Sequence, residues 1–220
     1  MIIREERIGN QRLILGDCLQ VMPTLGRFDA VVTDPPYGIG AHSGTGKYGR
    51  RRGYKGNWDD SAPDVAWIAE SGIPAIVWGG NYFGLPPSRA FLIWDKGAGF
   101  KGRDFAECEM AWCSFDANAR LFSYDPLARG DYRHKLHPTQ KPVALMEWCL
   151  GFLPEAKTIL DPFMGSGTTL VACQRMGRHG TGIELDPDYF EIACKRVDEA
   201  ARQPDIFIDA PEKPTQEALI

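Results

Sequence analysis

The apolar positions of this chain fall into short runs separated by glycine, proline and polar turns. Residues 28–33 (FDAVVT) and 90–94 (AFLIW) are nearly continuous β-branched and aromatic stretches. The first predicts a buried parallel strand and the second another buried strand. Similar short runs predict strands at Arg12–Leu15, Ala75–Trp78, Glu109–Ser114, Arg120–Phe122, Thr158–Leu160 and Gly180–Ile183. Helical spacing covers Cys18–Leu25, Asp64–Ser71, Pro142–Phe152, a stretch from Thr169 to about Met176, and Pro187–Arg202. For the last of these, Asp186 is a good N-cap and Pro187 suits the first helical position. Strands alternating with helices predict an α/β fold, a mostly parallel sheet with helices on both faces. Ligands in such sheets bind beyond the carboxyl ends of the strands. That rule gathers Gly16–Cys18, Asp34–Tyr37 and Asp161–Thr169 on one rim.

Composition sets the bounds. The chain has 220 residues, 44% hydrophobic and 25% charged, which suits one soluble domain. The pattern predicts a single domain over 1–202 and a proline-rich, acidic, flexible tail over 203–220. Residues 38–58 are rich in glycine and basic residues and nearly free of aliphatics. They predict a long mobile loop, and long loops in compact domains are usually functional or disordered. Six cysteines, none in CxxC spacing, predict reduced residues in a cytoplasmic protein without a structural zinc site. Nothing resembles a membrane span, and the charged Met1–Arg7 stretch is not a cleavable signal. The net charge of −4 gives no general attraction to nucleic acid, so any such contact needs a local basic patch.

Two corners on the expected rim carry chemistry. The first is Asp161-Pro162-Phe163-Met164-Gly165-Ser166-Gly167-Thr168-Thr169, a glycine turn between a strand and a helix. Gly165 and Gly167 allow close backbone approach, and a helix N-terminus favours an anionic group. The next strand ends at Glu184, seventeen residues beyond Gly167. A carboxylate there can accept hydrogen bonds from both hydroxyls of a ribose, so the unit suits an adenosine-type cofactor. Spacing alone does not separate a dinucleotide from S-adenosylmethionine. The missing third glycine of GxGxxG leans away from a dinucleotide. So does Asp161, which would repel a pyrophosphate and attract the ammonium of a methionine moiety.

The second corner is Asp34-Pro35-Pro36-Tyr37, directly after a buried strand. An exocyclic amino group on a nucleobase is a poor nucleophile, because its lone pair is delocalised into the ring. Hydrogen bonds from its two N–H groups to fixed acceptors pull the nitrogen toward a tetrahedral form. The Asp34 carboxylate is one such acceptor, and the Pro35 carbonyl, held by consecutive prolines, is the other. Tyr37 offers a face on which an extruded base can stack. This is catalysis by positioning and electrostatics, without a covalent enzyme intermediate.

These motifs, together with His137-Pro138-Thr139-Gln140-Lys141-Pro142 and Gly182-Ile183-Glu184-Leu185-Asp186, span nearly the whole chain. In that order they resemble the amino-type (N6-adenine/N4-cytosine) DNA methyltransferases, specifically the β group, in which the catalytic motif precedes the cofactor motif. The resemblance implies a Rossmann-like S-adenosylmethionine-dependent methyltransferase fold, with a seven-stranded, mostly parallel sheet and one antiparallel strand. It implies that Phe163, Gly165, Ser166, Gly167, Thr168, Thr169 and Glu184 surround S-adenosylmethionine, with Asp17 and Cys18 near its adenine. His137, Thr139 and Lys141 would flank its methionine end, and Asp34 and Asp161 are further candidates for cofactor binding. In this family DPPY goes mostly with adenine N6 and SPPY with cytosine N4, so the resemblance implies N6-adenine methylation of duplex DNA. Cytosine N4 is the nearest alternative, and an RNA or protein-amide substrate is a more distant one. The family often forms dimers, which implies a homodimer here, and the resemblance implies bacterial or phage origin; no metal partner is expected.

Contact with DNA is expected from Lys47, Arg50, Arg51, Arg52 and Lys55, which crowd into nine residues with Tyr48 and Tyr54 among them. Such residues neutralise phosphates beside an extruded base. Arg133 belongs to a second, weaker basic cluster in residues 115–136, the short stretch that takes the place of the family's larger target-recognition region.

Overall fold

The structure is a computed structural model; it describes residues 1–39, 59, 61–103, 106–131 and 140–203. Among these, nine strands form one sheet: β1 (Ile2–Ile8), β2 (Gln11–Gly16), β3 (Ala30–Thr33), β4 (Ala75–Trp78), β5 (Phe91–Asp95), β6 (Cys108–Cys113), β7 (Arg120–Ser123), β8 (Thr158–Asp161) and β9 (His179–Glu184). Their spatial order is β1-β2-β9-β8-β3-β4-β6-β5-β7. Seven strands run parallel, whereas β1 and β6 run antiparallel to their neighbours. The α/β architecture is as the periodicity predicts, but the sheet has nine strands rather than seven, and two antiparallel strands rather than one. The extra edge strand β1 (IIREERI) carries four charges. An edge strand pairs on one side only and keeps much of its surface in water, so such a sequence is tolerated there.

Alternation along the strands assigns the two faces. Ala30 and Val32 of β3, with Ile76 and Trp78 of β4, pack against helices α3 (Val143–Leu150) and α4 (Thr168–Arg175). Val31, Ala75 and Val77 point the other way, onto Val21 of α1 (Cys18–Val21) and Ile68 of α2 (Ala66–Glu70). Leu13 and Leu15 of β2 pack on Phe190, Ala193 and Val197 of α5 (Pro187–Arg202). That helix begins where expected, because Asp186 accepts from the backbone N–H groups of Asp188 (2.7 Å) and Tyr189 (3.1 Å). The expected helix over Cys18–Leu25 is shorter; it passes at Met22 into a single 3₁₀ turn containing Pro23, which has no N–H to extend the α-helix. No helix among the described residues is long and apolar enough to cross a membrane.

The order of strands creates a switch point. The chain leaves β3 toward β4 on one side and leaves β8 toward β9 on the other, although β3 and β8 are parallel neighbours. The carboxyl ends of β3 and β8 therefore lie at the topological switch point, where open α/β sheets bind ligands.

Candidate active site

Asp34 and Asp161, the residues at the carboxyl ends of β3 and β8, come together at that switch point. Thr33 at the end of β3 donates from Oγ1 to Asp161 Oδ1 at 2.7 Å, and both residues are buried. The two corners read from the sequence thus share one rim. Pro35 is buried behind Asp34.

Asp34 is one member of a buried charge cluster assembled from four parts of the chain. Lys141, immediately before α3, places Nζ 2.7 Å from each Asp34 carboxylate oxygen. The same Nζ lies 2.9 Å from Glu109 Oε2 of β6. Glu109 Oε1 lies 2.5 Å from Nζ of Lys96, which follows β5. Tyr37 donates its hydroxyl to Asp34 Oδ1 at 2.7 Å and reaches Glu109 Oε2 at 3.4 Å. The lysine side chains are 3% and 8% exposed, so water screens the cluster poorly. Two carboxylates face two ammoniums, which leaves the group formally neutral. Burial raises the Asp34 carboxyl, and the Lys141 ammonium offsets this only in part. Glu109 differs because it touches two ammoniums. Burial works against its ionisation too, but Lys141 and Lys96 hold it down at about 2. The Lys141 ammonium, despite burial, is raised by both carboxylates. Asp34 is therefore the member most ready to take a proton.

Tyr37 is fixed by its surroundings. Its ring stacks on Tyr82 at 4.8 Å between centroids and 15° between planes, and meets Phe83 edge-on at 6.3 Å. The backbone of Gly79 (φ +70°) lies so close that a Cβ there would fall 2.1 Å from a ring carbon. The face expected to receive a base thus already carries Tyr82, which is 45% exposed.

The glycine corner is equally defined. Gly167 has φ +76°, and a Cβ on it would meet Ala193 of α5 at 3.0 Å, so only glycine fits without strain. Ser166, Thr168 and Thr169 are buried. Arg196 of α5 holds this turn from behind: its Nη1 donates to the Ser166 carbonyl and lies 2.8 Å from Ser166 Oγ and 3.1 Å from Thr168 Oγ1. Burial lowers this guanidinium to about 10. Asp161 is raised by burial to about 6 even though Thr169, Thr33 and the Phe163 N–H donate to it. Glu184 is raised by burial to about 7, with the N–H groups of Asp186 and Gly165 opposing. At the end of β2, Asp17 caps α1 through the Leu19 N–H at 2.9 Å, so part of its acceptor capacity is already used. Cys18 beside it is half-buried, and its thiol is pushed up to about 11 by burial and then by Asp17.

The described residues therefore bring Asp17, Cys18, Asp34, Pro35, Pro36, Tyr37, Lys141, Asp161, Phe163, Gly165, Ser166, Gly167, Thr168, Thr169 and Glu184 to the carboxyl ends of β2, β9, β8 and β3. Lys141 touches the Asp34 carboxylate itself. His137, Thr139, Arg133 and the basic residues Lys47, Arg50, Arg51, Arg52 and Lys55 lie outside the described residues. Among the described residues no group of three or more His, Cys, Asp and Glu side chains could hold a metal ion. Sequence reading missed Glu109, Lys96 and Arg196 as site residues. The available signals were a lysine closing the buried run 90–94 and an arginine within the buried stripe of α5, between Ala193, Val197 and Ala200.

Comparison with known proteins bears on this geometry. Residues 88–195 match a DNA methylase family model (N6_N4_Mtase). A 65-residue segment is 46% identical to the type II methyltransferase M.HpaI of Haemophilus parainfluenzae; it makes up 29% of this chain and spans only 21% of that protein. The crystal structure of the M1.HpyAVI–SAM complex superposes with a TM-score of 0.56 at 23% identity, over 84% of this chain and 99% of that one. The cytosine-N4-specific PvuII DNA methyltransferase also superposes with a TM-score of 0.56, at 16% identity, over 91% of this chain and 95% of that one. The fold is thus shared with solved DNA methyltransferases, and the matches to the family model and to the type II methyltransferase segment support the amino-methyltransferase family for this chain.

Proposed function

We propose that this chain is an S-adenosylmethionine-dependent DNA methyltransferase of the β group that methylates N6 of an adenine extruded from duplex DNA. The observation that carries the reading is the juxtaposition at the switch point. An acceptor corner at Asp34 and a cofactor-type corner at Asp161–Thr169 are joined through the Thr33–Asp161 hydrogen bond of 2.7 Å.

The cofactor's chemistry fits the donor set of the rim. A carboxylate at the end of β9 suits a ribose diol, a carboxylate at the end of β8 suits an ammonium, and the Gly165–Gly167 turn leaves room for close backbone approach. Glu184, Asp161, Phe163, Gly165, Ser166, Gly167, Thr168 and Thr169 hold it in this reading, with Asp17 and Cys18 beside its adenine and His137 and Thr139 beside its methionine end. S-adenosylmethionine supplies a methyl group on a positively charged sulfur. The chain's own residues do the rest. Asp34 and the Pro35 carbonyl accept the two N–H groups of the base and localise the nitrogen lone pair. The proton released on methylation leaves through Asp34, whose carboxyl burial makes the easiest of the cluster to protonate. Tyr82, exposed and stacked on Tyr37, supplies the aromatic wall for the base in this reading.

DNA contact in this reading is carried by Lys47, Arg50, Arg51, Arg52 and Lys55, and by Arg133 of the second basic cluster. Support comes from the base of that segment: the Gly38 N–H donates to Asp59 Oδ1 at 2.8 Å, so the residues bracketing 40–58 meet next to Tyr37. The homodimer implied by the resemblance belongs to this reading as well. Cytosine N4 is the second reading, favoured by the equal superposition on the PvuII enzyme. To test the proposal, duplex DNA is incubated with the protein and methyl-labelled S-adenosylmethionine, then digested to nucleosides and weighed. Label in N6-methyladenine is the expected result. Label in N4-methylcytosine would establish the second reading, and label only in RNA or protein would reject both.

A further inference from the structure

We infer that Glu109, braced by Lys96, is a positioning residue for Asp34: by anchoring the far side of the Lys141 ammonium it fixes the Asp34 oxygens and sets the pH range in which they accept a hydrogen bond. The inference rests on the reading of Asp34 as the acceptor for the substrate amino group.

A lysine alone fixes a partner poorly. Its ammonium is a compact charge with three donors on a flexible four-carbon stem. Pairing with Asp34 only, Lys141 could swing with its partner. The structure gives the same Nζ a second carboxylate at 2.9 Å on a different strand. That carboxylate is in turn held by Lys96 Nζ at 2.5 Å. Lys96 is packed between the rings of Trp94 (5.3 Å) and Phe100 (5.4 Å). The chain of contacts therefore runs from the packed end of β5, through β6, to the acceptor after β3. Burying four charges is costly, and well-packed apolar residues of similar volume are often neutral or stabilising in their place. A cluster at the acceptor carboxylate is thus better explained by its effect on that carboxylate than by stability.

The electrostatic consequence has a definite sign. Asp34 faces Lys141 and Tyr37 directly, Glu109 across Lys141, Lys96 beyond Glu109, Asp161 from β8, and the Cys149 thiol of α3 behind Lys141. Removing the Glu109 charge leaves two ammoniums for one carboxylate, so Asp34 stays ionised to lower pH. Removing the Lys96 charge leaves Glu109 to compete for Lys141, so Asp34 takes up a proton at higher pH. A charge within a few ångströms shifts a carboxyl by about 1–3 pH units.

The test compares the full-length wild type with Glu109→Gln, Glu109→Asp and Lys96→Met. The pH dependence of kcat is measured for methyl transfer to duplex DNA at saturating S-adenosylmethionine. In parallel, the Asp34 carboxyl is titrated by ¹³C NMR on protein labelled at aspartate carboxyls, with its resonance assigned by loss in Asp34→Asn. The acid limb of Glu109→Gln is expected about one pH unit below wild type, and that of Lys96→Met about one unit above. Glu109→Asp keeps the charge and the wild-type limb at a lower kcat. A merely structural role would lower kcat evenly and leave the limbs superimposable after scaling, and that result overturns the inference. If Glu109→Gln does not fold, the direction of the Lys96→Met shift decides alone. The proposed function fails separately: wild-type protein that transfers no methyl to DNA rejects it, while the NMR titrations still test the coupling of Glu109 and Lys96 to Asp34.

Discussion

Asp34→Ala is expected to lower kcat for methyl transfer by about 10²–10³-fold, the usual cost of removing one preorganised hydrogen-bonding group from a transition state. The Kd for S-adenosylmethionine should stay within about threefold of wild type, because the glycine turn after β8 and Glu184 at the end of β9, which carry most of the cofactor contacts in this reading, are untouched. The fold should survive, since the stranded Lys141 ammonium keeps Glu109 at 2.9 Å. Glu184→Ala is expected to do the reverse. Losing the ribose acceptor should raise the cofactor Kd by about tenfold or more, in line with a hydrogen bond to a charged group. Its kcat at saturating cofactor should be nearly unchanged. Calorimetric titration of the cofactor and initial rates on duplex DNA check both variants. Near-normal turnover by Asp34→Ala would remove the tetrapeptide from the mechanism.

Lys141→Met has the second large effect, and it is an effect on stability as much as on rate. Lys141 is 3% exposed and faces two carboxylates. Without it, Asp34 and Glu109 remain buried with Lys96 as their one cation among the described residues. Leaving a buried charge without its partner costs about 3–5 kcal/mol. For a chain of this size that lowers Tm by about 10 °C at pH 7. The loss should shrink as the pH falls. Burial already raises the Asp34 carboxyl, and losing Lys141 raises it further, so its penalty is absent below its unfolded value, grows as the pH rises from that value to the folded-state value, and is complete above it. Thermal melts at pH 5 and pH 8 measure this directly. A pH-independent loss of stability would mean that packing rather than charge is at work. The rate at neutral pH should fall as well, because Asp34 then holds a proton when it needs to accept one.

Much of this architecture could be read from the chain. Central parallel strands are apolar on both sides, so β3 and β4, each buried at every position, stand out as unbroken apolar runs. The N-cap Asp186 with Pro187 marked α5 to the residue. β1 was illegible for the opposite reason, since an edge strand bearing Arg4, Glu5, Glu6 and Arg7 looks like a solvated charge run. The two corners were legible because each is a local motif whose chemistry depends on adjacent residues. The cluster was not, because Lys141 and Asp34 are 107 positions apart and Tyr37 and Glu109 are 72 apart. A lysine at the end of one strand and a glutamate near the start of another carry no local sign that they form an ion pair. Arg196 was hidden by a similar separation: its partners in the glycine turn lie 28 and 30 positions earlier.

The central claim is that a methyl donor held by the glycine corner delivers its methyl toward Asp34 in one shared cleft. It is tested most directly by a crystal structure with an S-adenosylmethionine analogue that carries an amine in place of the transferable methyl group. The analogue's ribose is expected on Glu184, its amino-acid ammonium beside Asp161, and its replacement amine facing the Asp34–Pro35 edge. An analogue bound at the opposite end of the sheet, or with that amine turned away from Asp34, would contradict the account.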